Sequence, residues 1–167
     1  LVALPMLALS DRTIFLAARG EHYYVLLLVF ALADSPSEWI AGAMAVHAAL
    51  WFFAGFSKLN HHFPTVVCVM VINSPVLGWK WLRRRMYRAY PDDLRPSRFA
   101  AGMAHFGTIS EYAIPIALLV GDGGPLTTAA LIGITGFHLF ILSNVPMGVP
   151  LEWNVAMIYG AWVLFGA

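Results

Sequence analysis

The sequence predicts an all-α integral membrane protein, a helical bundle of five to six transmembrane segments. Three observations carry this expectation. Hydrophobic residues make up 60% of the chain and charged residues only 11%, against about 25% charged in a soluble domain. Apolar runs recur that approach the roughly 20 residues needed to cross a bilayer as a helix. The remaining charge is concentrated, with seven of the ten Lys and Arg residues between positions 80 and 98.

Residues 13–33 form the first apolar segment, interrupted by Arg19, Glu21 and His22; Asp11 and Arg12 before it read as interface anchors. Residues 38–58, dense in Ala and Gly, form the second. Residues 65–82 are ambiguous. The uninterrupted part, "TVVCVMVI", is too short to span, and Asn73-Ser74-Pro75 follows. Proline lacks a backbone donor and disfavours helix in the residue before it. The segment either spans or forms a broken or re-entrant helix, which decides between six spans and five. Residues 99–120, 126–143 and 151–167 form the last three segments, with "GDGGP" (121–125) a tight turn between the first two of them. No sheet is expected.

Short loops rich in Lys and Arg stay cytoplasmic, so loop 83–98 faces inward, turn 121–125 outward, and 144–152 inward again. "SKLNHHF" lies toward the outer face if 65–82 spans and toward the inner face if it re-enters. The expected location is the cell membrane, multi-pass, with residues 1–167 as a single transmembrane domain. Membrane lipids are the expected partners, and the basic loop is placed to meet anionic head groups; other membrane proteins are further candidates. The net charge of +1 and the juxtamembrane place of the basic cluster argue against nucleic acid. The lone Cys68, within an apolar run, reads as a buried, inert thiol.

Ionisable groups inside a span are costly and usually face a bundle interior or wet cavity. The candidates are Arg19, Glu21, His22, His47, Lys58, His105, Glu111 and His138. On segment 38–58, His47, Trp51, Ala54 and Lys58 share one face at about 100° per residue, provided the helix continues to residue 58. His105, Thr108 and Glu111 form a drifting stripe on 99–120, and Thr128, Thr135 and His138 share a sector of 126–143. Together these stripes are placed to line one polar cavity. A structural reading stands beside this one: helix-to-helix hydrogen bonds for His47 and His138, a snorkelling Lys58, and mutual pairing of Arg19 and Glu21. No HExxH, CxxC, P-loop or Rossmann glycine pattern occurs, so no metal ligands are assigned and no cofactor is identified.

"LSDRTIFLAARGEHYY", "FFAGFSKLNHHFPTVVCVM", "YPDDLRPS", "AHFGTISE" and "NVPMGVPLEWN" together resemble an uncharacterised family of bacterial transmembrane proteins, frequent in actinobacteria. That resemblance implies the membrane fold, and that this region is the C-terminal part of a longer protein. "FFAGFSKLN" (52–60) also looks like an element of the vitamin K-dependent γ-carboxylase-like membrane domains, an aromatic and a small residue before Ala-Gly-x-x-Lys-Leu. It implies for Lys58 the role of a base toward a quinol; the chain departs from that element in the "NHHFP" that follows. A desolvated lysine has a lowered pKa, and a neutral amine is a competent general base. The expected site has Lys58, His61 and His62 as catalytic residues, with His47, His105, Glu111 and His138 binding the substrate. Three functions fit: an enzyme acting on a lipid or quinone-like substrate, a non-catalytic subunit or scaffold, and a lipid-handling transporter.

Overall fold

The computed structural model describes residues 2–13, 20–144 and 151–166. Arg19 and the side chain of Glu21 lie outside this set, so their expected pairing is not described. The chain divides into two compact units, Leu1–Leu50 and Trp51–Ala167, with the division inside one long helix.

The first unit contains α1 (Ala3–Ser10), α2 (Gly20–Leu32) and the start of α3 (Pro36–Phe56). The entry to α3 is written in "DSPSE". Pro36 is pre-shaped for a first helical turn. The Glu38 amide donates to Ser35 Oγ at 3.4 Å, while Glu38 Oε2 accepts from the Asp34 amide at 2.9 Å, a reciprocal cap close to the capping box. Phe30 and Trp39 fix α2 against α3, with ring centroids 5.2 Å apart.

In the second unit, α4 (Phe63–Ile72) is followed by α5 (Lys80–Met86), strands β1 (Tyr87–Ala89) and β2 (Asp93–Pro96), and helices α6 (Arg98–Val120), α7 (Pro125–Leu142) and α8 (Leu151–Phe165). α6 and α7 form an antiparallel hairpin, since Gly133 faces Ile114 and Gly107 faces Phe137. Its turn needs φ of 44° at Asp122 and 70° at Gly123, the left-handed region that glycine enters without steric cost. α8 lies on α7, where the Trp162 indole N–H donates to Thr135 Oγ1 at 2.9 Å. α4 packs on α6 around Val67, Cys68, Val71, Met86, Ala100 and Ala104.

Two expectations are corrected here. The basic loop is not free of sheet: β1 and β2 pair antiparallel, with Tyr87 opposite Pro96 and Ala89 opposite Asp93. A Tyr-Pro-Asp turn (90–92) closes them, and Arg95 grips Asp93 bidentately, Nε to Oδ1 at 2.9 Å and Nη2 to Oδ2 at 2.7 Å. The second correction is that α3 ends at Phe56, before Lys58, so helical phase does not align Lys58 with His47. Within 65–82 the helix stops at Ile72 and a new one begins at Lys80. α4 has 10 residues, about 15 Å of rise, against about 30 Å of hydrocarbon. Ser74 holds the break. Its hydroxyl is buried, accepts from the amides of Val76 and Leu77 at 3.3 and 3.1 Å, and donates to the Ser143 carbonyl at 3.2 Å.

Among the described residues, three helices are long and apolar enough to cross a membrane: Pro36–Phe56, Arg98–Val120 and Pro125–Leu142. Polarity runs inside out along the last two. Phe106, Ile109, Ile116, Leu119, Ile132 and Leu139 are exposed, while Thr108, Glu111, Thr127 and His138 are buried, the arrangement a hydrocarbon solvent favours.

Candidate functional site

The site begins where α3 stops. After Phe56 the backbone tightens: the Lys58 amide donates to the Gly55 carbonyl at 3.0 Å and the Leu59 amide to Phe56 at 3.1 Å. Asn60 locks this turn from both sides. Its Nδ2 donates to the Ser57 carbonyl at 3.1 Å and its Oδ1 accepts from the His62 amide at 3.0 Å. Asn60 therefore explains one of the polar residues of "SKLNHH" as a loop latch.

The turn delivers Lys58 to the middle of α6, where Nζ forms an ion pair with Glu111 Oε1. Lys58 retains 27% exposure and Glu111 only 2%. An unpaired carboxylate at that depth would be strongly unfavourable, and Lys58 supplies its countercharge. Glu111 Oε2 has no hydrogen-bond partner among the described residues. Two further features serve this contact. Gly55 lies directly on α6; a Cβ there would stand 3.0 Å from Glu111 Cβ, a tight contact that Glu111 would have to yield to. Pro115 sits inside α6, four residues after Glu111. Lacking an N–H, it leaves the Glu111 carbonyl without its helical donor.

Beside the pair is a cavity of about 330 Å³, lined by Lys58, Leu59, Asn60, His61, Phe63, Pro64, Ala104, His105 and Thr108. Lys58 Nζ also stands 5.7 Å from the centre of the Phe63 ring, a cation–π distance. The Thr108 hydroxyl is occupied by the Ala104 carbonyl at 3.1 Å. Lys58, His61 and His105 are therefore the side chains free to meet a ligand from the wall.

Of the residues expected from sequence, the structure gathers Lys58, His61, His105 and Glu111. His62 sits beside His61 with the rings tilted and their centroids 3.7 Å apart, but does not line the cavity. His138 goes elsewhere. It is buried against Trp51 with centroids 5.5 Å apart, and its Nδ1 meets Asn154 Oδ1 at 2.8 Å. The amide oxygen accepts, so Nδ1 carries the proton; this is a helix-to-helix clamp. His47 is buried in the first unit. In α7 the buried threonine is Thr127, and Thr128 is exposed. Sequence reading missed Asn154, Gly55 and Pro115. The spacing of Pro115 four residues after a buried-stripe glutamate was the available signal. Among the described residues no group of three or more His, Cys, Asp and Glu side chains could hold a metal ion.

Over residues 1–167 the chain matches the family described as transmembrane protein of unknown function (DUF3556). No curated protein and no solved structure matches it.

Proposed function

The chain belongs to this family of transmembrane proteins, and we propose that it is a membrane enzyme acting on an amphiphile with an oxygenated head, a lipid or quinone-like molecule, at the Lys58–Glu111 pair. The observation that carries this reading is a buried glutamate paired with a lysine on the wall of a cavity that also receives His61 and His105. In the ion pair Lys58 holds the proton and donates a hydrogen bond to a ligand oxygen, which anchors the head. To act as a base it first passes that proton to Glu111. The resulting neutral amine then accepts a proton from a ligand hydroxyl. His61 and His105 orient the head and relay the proton outward. This agrees with the base role that the carboxylase-like element implies for Lys58. The basic hairpin faces the cytoplasm by its Arg content.

The pairing of Lys58 with Glu111 also favours a second reading, a structural clasp in a non-catalytic membrane subunit. A paired replacement separates the two. In Lys58→Met or Glu111→Gln a lone partner is left, and loss of one partner of a buried pair costs roughly 3–5 kcal/mol. Lys58→Leu with Glu111→Leu removes both charges and restores thermal stability. The enzyme reading expects wild-type protein in nanodiscs to bind a short-chain naphthoquinol, and the stable double variant to have lost it. Equal quinol retention by both leaves only the clasp.

A further inference from the structure

A second cavity lies on the other side of α6 from Lys58. It is an apolar groove of about 720 Å³ between α6 and α7, bounded by Phe99, Gly102, Phe106 and Ile114 on one side and by Gly133, Gly136 and Phe140 on the other. Its floor is open by design of sequence: a Cβ added at Gly102 or Gly136 would meet nothing within 4 Å. The hydroxyl of Ser110, also on the wall, is used by its own helix, donating to the Phe106 carbonyl at 2.8 Å. No polar group in the groove therefore asks for a partner.

Its length and its mouth point to the occupant. From Phe99 to Ile114, α6 rises about 22 Å at 1.5 Å per residue, and the apolar wall follows that length, which suits an extended hydrocarbon chain. The mouth adds a charge. Arg85 holds its guanidinium 5.4 Å from the centre of the Phe99 ring, and Arg98 immediately precedes Phe99 at the start of α6. Among the described residues of the second unit the ion pairs join Lys58 to Glu111 and Arg95 to Asp93; neither Arg85 nor Arg98 takes part in them.

We propose that this groove holds one acyl chain of an anionic phospholipid, whose phosphate is met by Arg85 and Arg98 at the mouth. The site is separate from the Lys58 cavity. Native mass spectrometry of the full chain, titrated with phosphatidylglycerol or phosphatidylcholine, tests it. Each arginine near an anionic head group is worth about fivefold in affinity. Wild type is expected to prefer phosphatidylglycerol by roughly 25-fold, and Arg85→Ala with Arg98→Ala to erase that preference. Gly102→Leu with Gly136→Leu places side chains in the groove from positions where a Cβ is free of contact and is expected to lose both lipids. In a chain with native glycines, Phe106→Trp fluorescence is expected to be quenched more by bromo-acyl phosphatidylglycerol than by the bromo-acyl phosphatidylcholine. Equal quenching, unchanged lipid retention after filling, or a change of oligomeric state on filling with lipid occupancy intact would each overturn the proposal. The last result would make the groove a helix interface.

Discussion

Gly55 carries more of the site than any polar residue beside it except the ion pair. It lets α3 end against α6 and so sets the height at which Lys58 meets Glu111. Gly55→Ala is expected to lower stability by about 1–3 kcal/mol through overpacking and to weaken ligand binding at the cavity, by thermal melting and quinol titration. Gly102→Ala, an α6 glycine open to empty space, is expected to be neutral or to stabilise by up to about 1 kcal/mol. Equal losses at both positions would mean that the α3–α6 approach is not the cause. The sequence made Lys58 and Glu111 conspicuous separately, because each is a charge in an apolar run. Their pairing was not legible. It joins residues 53 positions apart, and helical phase describes one helix at a time. Phase also misplaced Lys58, because the chain leaves the helix at Phe56.

Among the elements, the broken segment and the hairpin show what local rules reach. Asn73-Ser74-Pro75 signalled the break, and the helix stops at Ile72. The role of Ser74 depends on Ser143 across the fold and was out of reach of local reading. Ser74→Ala removes one hydroxyl that serves two amides and a carbonyl, and is expected to cost about 1–3 kcal/mol by denaturation in detergent. Substitution of the exposed Ser37 provides the control. The hairpin was missed because "YPDDLRPS" sits among arginines whose topogenic meaning dominated the reading, although Pro-Asp-Asp is a turn signal. Its Asp93 carboxyl is held down at about 2 from 3.8, first by the Arg95 side-chain hydrogen bonds and then by the Arg95 amide. A depressed carboxyl contributes order above its unfolded pKa and loses it as pH falls through the folded value. Amide protection at Arg95 is therefore expected to hold from neutral pH to about pH 4 and to fall between about pH 4 and pH 2. In Asp93→Asn that step should vanish. A step centred near neutral pH would assign it to another group.

At the scale of the whole molecule the account is one of inverted polarity: apolar side chains outward, polar pairs inward, and a basic hairpin at one end of α6. Composition alone made the membrane class legible, since hydrophobic content and charge placement are sums over the chain. The number of spans was not, because Phe63–Ile72 and Leu151–Phe165 are apolar but short, and length is what composition does not report. α6 has 23 residues, about 34 Å of rise, enough to separate its two ends by a bilayer. With Cys68→Ala as background, Arg88→Cys and Gly123→Cys are expected to label with a membrane-impermeant maleimide from opposite faces, Arg88→Cys from the cytoplasm. Labelling from one face would refute the orientation. The central claim is that Lys58 and Glu111 serve a ligand in the cavity beside them. A single-particle electron-microscopy map of the protein in native-lipid nanodiscs tests it most directly. The account predicts elongated density in the cavity of Lys58, His61 and His105, with an oxygenated end within hydrogen-bond reach of Lys58 Nζ. A cavity closed by side chains, or a Lys58 ammonium turned out to the lipid head groups, would contradict it.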